Sequence, residues 1–147
     1  GIRYNDGWWE FKYGPVDEIP NCQPADHWLM YGIGTGTPIE GDFENNGIDG
    51  IGIRYNDGWW EFKYGPVDEI LNCQPADHWL AYGTGTGTPL VCDFENNGID
   101  GIGINHNDGW WEFKYGPVDE IPNYSTANHW RAYGTGAGTP IVGSFNP

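Results

Sequence analysis

The sequence has little positive charge and no long apolar stretch. Six Lys and Arg residues stand against 21 Asp and Glu residues in a chain of 147, which gives a formal net charge of −15. Such a chain repels phosphate groups rather than attracting them. No apolar run approaches the roughly 20 residues that a membrane-spanning helix needs. Composition therefore argues against nucleic acid as a partner and against insertion into a membrane.

Cysteine and helix-forming patterns are also scarce. The three cysteines, Cys22, Cys73 and Cys92, make an odd number and have no CxxC spacing, so they predict neither a closed disulfide set nor a zinc site. Glycine (24) and proline (11) interrupt nearly every window in which helical periodicity would develop. The sequence therefore predicts short strands, tight turns and almost no helix.

The chain is a threefold repeat with a period of 51 residues. Residues 1–51 and 52–102 differ at only six positions, and residues 103–147 form a third, more divergent copy that is shorter than the others. A fixed period of this length is typical of repeat architectures. We interpret residues 1–147 as one repeat domain with units 1–51, 52–102 and 103–147. Near-identical neighbouring units are also what an engineered repeat protein would have.

Each unit contains four segments with the pattern of β-strands. In the second unit, apolar residues alternate on both sides of an Asn-Asp-Gly turn at 56–58, which is a strong hairpin signal. A third strand is predicted near residues 78–82 and a fourth near 89–94. Four short strands in about 50 residues match the size of one propeller blade. The predicted fold is therefore all-β, built from four-stranded antiparallel propeller blades.

The repeat is out of phase with the ends of the chain. Residues 1–4 correspond to the second strand of a unit, and residues 140–145 correspond to the first strand of the unit that would follow. One blade is thus expected to be split between the two termini. Since closed propellers typically have four to eight blades, we expect head-to-tail association into a ring or a filament. The alternative is that the chain is a piece of a longer array.

Residues 88–104, which read Thr-Pro-Leu-Val-Cys-Asp-Phe-Glu-Asn-Asn-Gly-Ile-Asp-Gly-Ile-Gly-Ile, are followed by a turn and a Trp-rich strand. This arrangement resembles the FG-GAP or VCBS repeat of integrin-like β-propellers and recurs once per unit. In that family the loop between the first two strands runs D-x-[DN]-x-[DN]-G-x-x-D and often holds calcium. The resemblance implies an extracellular adhesion, lectin or surface module.

The same resemblance implies a calcium site in the first two units. The residues that match the first, third and fifth loop positions are Asp42, Glu44 and Asn46 in one unit and Asp93, Glu95 and Asn97 in the next. Oxygen ligands at alternate positions suit a hard cation. The ninth position, however, is glycine in both loops. The alternative is a loop whose Asp and Asn side chains cap their own turn without metal.

The nine tryptophans suggest a ligand. Alternation along the strand at 59–64 places one Trp of each adjacent pair in the core and its neighbour on the opposite face. Those neighbours, Trp8, Trp59 and Trp110, are our candidates for stacking on sugar rings, and a repeat would offer several weak sites with combined avidity. The alternative is that all of these rings serve sheet packing.

The sequence gives no sign of catalysis. Each unit repeats its acids in the same local sequence, whereas acid–base chemistry needs two groups in different environments. No Ser nucleophile motif is present, and the single His before a Trp in each unit makes a poor zinc site. We expect a non-enzymatic extracellular binding module, lectin-like and assembled head to tail. The alternative is a structural, self-assembling surface or filament protein.

Overall fold

The chain forms three antiparallel sheets in the computed structural model, which describes residues 1–32, 34–83, 86–136 and 138–143. Sheet 1 contains β1 (Ile2–Arg3), β2 (Trp8–Phe11) and β3 (His27–Met30). Sheet 2 contains β4 (Thr37–Gly41), β5 (Gly50–Arg54), β6 (Trp59–Lys63) and β7 (His78–Ala81). Sheet 3 contains β8 (Gly87–Cys92), β9 (Gly101–His106), β10 (Trp110–Lys114) and β11 (His129–Ala132).

Strands that follow each other in the sequence lie side by side within every sheet. The order is β1-β2-β3 in sheet 1, β4-β5-β6-β7 in sheet 2, and β8-β9-β10-β11 in sheet 3. The predicted hairpin at 56–58 joins β5 and β6, where the Tyr55 amide donates to the Trp59 carbonyl at 2.8 Å. Gly58 has φ +92°, a conformation that glycine adopts without strain. The all-β prediction is confirmed, although the sheets do not close into a ring within the described residues.

Helix is almost absent from the described residues, as predicted. The described helical segments are two 3₁₀ turns, Val16–Glu18 and Val118–Glu120. Among the described residues, no helix has the length and apolar character needed to cross a bilayer.

The predicted strand at 140–145 is wrong in its described part. Residues 140–143 form no strand, and residues 144 and 145 lie outside the described residues. The corresponding strands β4 and β8 are held by pairing with the strands that follow them, β5 and β9. No such partner lies beside residues 140–143 in the described part of the chain.

Two apolar cores hold the sheets face to face. The core between sheets 1 and 2 joins Trp9, Leu29 and Tyr31 to Ile51 and Ile53 of β5. The core between sheets 2 and 3 repeats this arrangement 51 residues later, and its corresponding members are Trp60, Leu80, Tyr82, Ile102 and Ile104. Complete burial of one such Ile side chain stabilises the fold by about 1.5–3 kcal/mol. The stack of sheets is therefore held by the same packing twice.

A polar latch accompanies each core. Asn72 of sheet 2 accepts the Met30 amide with Oδ1 at 2.7 Å, and the Cys73 amide donates to the Met30 carbonyl at 2.8 Å. Asn123 and Tyr124 form the same two bonds with Ala81, each at 2.7 Å. We call this arrangement the Asn latch. It fixes the edge strand of one sheet to a loop of the next.

Candidate ligand-binding clefts

An open aromatic cleft lies beside the hairpin turn of sheet 2. Tyr55, Asp57, Trp59 and Trp79 line it, and its volume is about 560 Å³. The Tyr55 and Trp79 rings are nearly parallel, with centroids 6.2 Å apart and an angle of 14°, and Trp59 meets Trp79 edge-on at 6.4 Å. Trp79 is 47% exposed, so this cleft presents a wide aromatic surface to solvent.

The same arrangement occurs in the other two sheets. A stacked pair, an edge-on Trp and an Asp at the turn come from Tyr4, Asp6, Trp8 and Trp28 in sheet 1, and from His106, Asp108, Trp110 and Trp130 in sheet 3. The stacked centroids are 6.1 Å apart in sheet 1 and 5.8 Å apart in sheet 3. The sheet 3 cleft has a volume of about 440 Å³. The same arrangement of rings thus occurs once in each sheet, and we call each of these three sets of residues an aromatic cleft.

The clefts follow from strand alternation and register. Because Trp60 points into the core between sheets 2 and 3, its neighbour Trp59 points to the opposite face. Trp79 reaches Trp59 because it lies on β7, where it pairs with Glu61, two residues from Trp59 along β6. The Asp57 carboxylate accepts the Trp59 amide at 3.2 Å, which holds the acid at the edge of the cleft.

The candidates predicted from the sequence all lie in these clefts. Trp8 and Trp59 are half-buried and Trp110 is exposed. Sequence reasoning missed the more exposed partners, Trp28, Trp79 and Trp130, and the stacked residues, Tyr4, Tyr55 and His106. The repeated His-Trp pair, aligned against the preceding hairpin, is the sequence feature that could have indicated these residues.

A second concave surface, the inter-sheet groove, lies between sheets 2 and 3. It has a volume of about 440 Å³, and its lining includes Trp59, Trp130, Tyr124, Glu112 and Ser125. Buried Glu112 Oε1 and Ser125 Oγ have no hydrogen-bond partner among the described residues.

Burial favours the neutral form of Glu112, the acid in this groove. It raises the pKa of Glu112, while the nearby His106 and Arg54 partly oppose the shift. His106 Nε2 lies 3.7 Å from Glu112 Oε2. The equivalent acid in sheet 2, Glu61, also has a pKa raised by burial, opposed by a hydrogen bond from Tyr55 and by the charge of Arg3. Each acid is thus buried beside a group that favours its ionised form.

The predicted calcium loops are held by their own acids. Asp42 accepts the Asn46 amide at 2.9 Å and the Gly47 amide at 2.7 Å. Asp93 makes the same bonds in the next unit, which lower its pKa. Glu44 and Glu95 accept the side-chain amides of Asn46 and Asn97, at 3.1 and 3.3 Å. Within the described residues, no three His, Cys, Asp or Glu side chains form a group that could hold a metal ion. Calcium binding stays a prediction.

No family model, no curated protein and no solved structure matches the chain. The likeness to FG-GAP and VCBS repeats therefore remains a resemblance of the loop residues.

Proposed function

We propose that the chain is a non-enzymatic, extracellular, lectin-like module whose aromatic clefts each bind a sugar ring. The observation that carries this proposal is the recurrence of one cleft geometry in all three sheets. Folding stability alone does not require large rings in the open, since the core uses the other Trp of each pair. Exposed aromatic groups beside a carboxylate are typical of surfaces that bind amphipathic ligands.

The cleft chemistry suits a saccharide. One face of a pyranose ring carries C–H groups that pack on an indole ring, and its hydroxyls donate to carboxylates such as Asp57. The net charge of −15 repels anionic ligands at a distance. We therefore propose neutral or cationic glycans rather than sialylated or sulfated ones.

Repetition supplies affinity that one open cleft lacks. Each cleft is shallow and buries only part of a sugar, so a single contact is expected to be weak. Linked sites convert later binding steps into intramolecular ones, and avidity can exceed the single-site affinity by about 10²–10⁴-fold. The target is therefore a multivalent glycan surface.

A glycan array followed by titration calorimetry tests this function. We expect binding to neutral glycans and its loss in the triple variant Trp28→Ala, Trp79→Ala, Trp130→Ala. The matched control is Tyr13→Ala, which removes an exposed aromatic ring outside the clefts. Absence of binding at millimolar sugar, or equal binding by the triple variant, would overturn the proposal.

We also propose that the three sheets are propeller blades that associate head to tail, with calcium in the Asp42 and Asp93 loops. The support for association is that Ile2 of sheet 1 and Tyr133 after sheet 3 are exposed, although their counterparts in the stack are buried. This feature also favours a second candidate function, a self-assembling structural protein. The two functions are compatible, because assembly multiplies the clefts.

A further inference from the structure

We propose that a second copy of this chain docks its sheet 1 onto the outer face of sheet 3, where its Glu10 pairs with Arg131. This junction deepens the head-to-tail association proposed above and does not depend on glycan binding. Its geometry is that of the two sheet-to-sheet contacts already present within the chain.

The outer face of sheet 3 is a core surface without a cover. In sheet 2 the equivalent face consists of Trp60, Phe62, Leu80 and Tyr82, all of which are buried against sheet 3. In sheet 3 the corresponding residues are Trp111, Phe113, Arg131 and Tyr133, and they are half-buried or exposed. Tyr133 is 77% exposed where Tyr82 is 2% exposed. This face retains its aromatic residues and lacks the sheet that covers them elsewhere.

The face of sheet 1 that carries Ile2 corresponds to the faces that cover the two internal cores. Ile53 and Ile104 are fully buried against the preceding sheet, while their counterpart Ile2 is 54% exposed. Ile19 is half-buried, whereas the equivalent Ile70 and Ile121 are buried. The residues that fill the two internal cores are thus available on sheet 1 to fill a third.

The residues that would form a third Asn latch are also present on sheet 1 and sheet 3. The counterparts of its donor and acceptor residues are Asn21 and Cys22 on sheet 1, and Ala132 at the end of β11. Cys22 has φ 62°, the same left-handed conformation as Cys73 (61°) and Tyr124 (60°), which are engaged in latches. Residues other than glycine adopt this conformation at a cost. The sheet 1 loop therefore holds the latch conformation before it meets a partner.

On the outer face of sheet 3, the arginine lies on the other side of the Trp than it does in sheets 1 and 2. Across the strands, Arg54 pairs with Trp60, which pairs with Leu80. The same row in sheet 1 is Arg3, Trp9 and Leu29. In sheet 3 it is Asn105, Trp111 and Arg131, so the cation lies on the other side of the Trp. The two substitutions together preserve one positive charge on the face.

That charge faces a glutamate at each internal junction. Arg3 favours the ionised form of Glu61, and Arg54 favours that of Glu112. A Cβ added to Gly32 would lie 2.5 Å from Glu61 Oε1, so the acid reaches the stretch that follows β3. Arg131 lies three residues before Gly134, the counterpart of Gly32.

Glu10 is the counterpart of Glu61 and Glu112 on sheet 1. It is half-buried on the face that carries Ile2, and no ion pair joins its side chain to a cation among the described residues. Arg131 likewise has no ion-pair partner in the described part of the chain. Charge complementarity therefore selects a second copy as the occupant, in a single orientation.

Charge reversal tests the junction. Sedimentation velocity over micromolar to millimolar concentrations should show concentration-dependent association of the unmodified chain. Arg131→Glu and Glu10→Arg should each weaken association by at least about tenfold, as expected for a like-charge contact at an interface. Mixing the two variants should restore it, because each supplies the charge that the other lacks. Lys114→Glu, the same change of charge on the opposite face of sheet 3, should associate normally.

The outcomes separate the junction from association itself. Restoration by mixing, or in the double variant, supports the Glu10–Arg131 pair. If the unmodified chain associates but both reversed variants associate equally well, the junction is wrong and association uses another surface. If the unmodified chain stays monomeric at every concentration, head-to-tail association fails as well, and the outer face of sheet 3 belongs to a different partner. Neither result bears on glycan binding.

Discussion

The Arg54 guanidinium lies over the ring of Trp60, with its carbon 5.6 Å from the ring centroid. Arg54 is almost completely buried, and it donates from Nη1 to the Gly87 carbonyl at 3.1 Å. Its charge also favours the ionised form of Glu112. One side chain thus connects β5 to the start of β8 and supports the acid of the next sheet.

We expect Arg54→Ala to lower the free energy of unfolding by about 2–4 kcal/mol, because it removes a ring contact, a hydrogen bond and the cation near a buried acid. Arg3→Ala is the matched control. Arg3 makes the same contact with Trp9 at 5.7 Å but is only half-buried, so its loss should cost less. Urea unfolding measured by tryptophan fluorescence compares the two. Equal costs would contradict the role of burial.

The number of sugar sites should follow the number of clefts. We expect a single Trp79→Ala variant to bind one fewer monovalent sugar per chain in calorimetry, with unchanged affinity at the remaining clefts. On a multivalent surface the same variant should lose about tenfold or more in affinity, because one linked contact is gone. A uniform fall in affinity without a change in stoichiometry would contradict independent clefts.

Buried acids make stability depend on pH. Burial raises the pKa values of Glu61 and Glu112 in the folded chain, so the folded state binds protons more tightly than the unfolded state. The stability from these protons is fully present below the unfolded pKa of about 4.5 and is lost as the pH rises through the raised values. We expect the melting temperature to rise as the pH falls from neutral toward 4.5.

The variant Glu61→Gln isolates one of these groups. It should melt higher than the unmodified chain at neutral pH and show a weaker pH dependence, since its side chain is never ionised. Glu69→Gln makes the same change of charge at an exposed position and should change neither quantity. A parallel pH dependence of Glu61→Gln and the unmodified chain would show that other groups dominate.

Local pattern was enough to predict the strands and the core Trp. The alternation at 59–64 separates Trp60 from Trp59, and the Asn-Asp-Gly turn fixes the register of β5 against β6. The contribution of Trp79 was missed because a long loop joins β6 to β7. Loop length leaves the register of that pair open, so the stacked partner follows only from the folded structure.

Contacts between sheets were beyond what the sequence could predict. Glu61 is a charged residue on an alternating strand, which favours exposure, yet it is buried because sheet 1 packs over it. The segment at 140–143 has the strand pattern of β4 but no paired neighbour among the described residues. The burial of Glu61 depends on a sheet far away in the sequence, whereas strand formation in β4 and β8 depends on pairing with the next strand. The local period encodes neither contact.

Experiments on the two acidic loops can distinguish a metal site from a turn that is capped by its own acids. Asp42 and Asp93 already accept backbone amides, so the loops keep their shape through these bonds alone. A calcium ion bound by the folded chain would stabilise it by RT ln(1 + [Ca²⁺]/Kd). The calcium proposal therefore predicts that millimolar calcium raises the melting temperature relative to a chelator.

The double variant Asp42→Ala, Asp93→Ala should abolish that rise and should also melt lower in chelator, because it removes the caps. Asp119→Ala, at an exposed acid outside the loops, should retain the calcium response. Identical melting of the unmodified chain in calcium and chelator would contradict the calcium site. The lower melting of the double variant would then show that capping alone accounts for these acids.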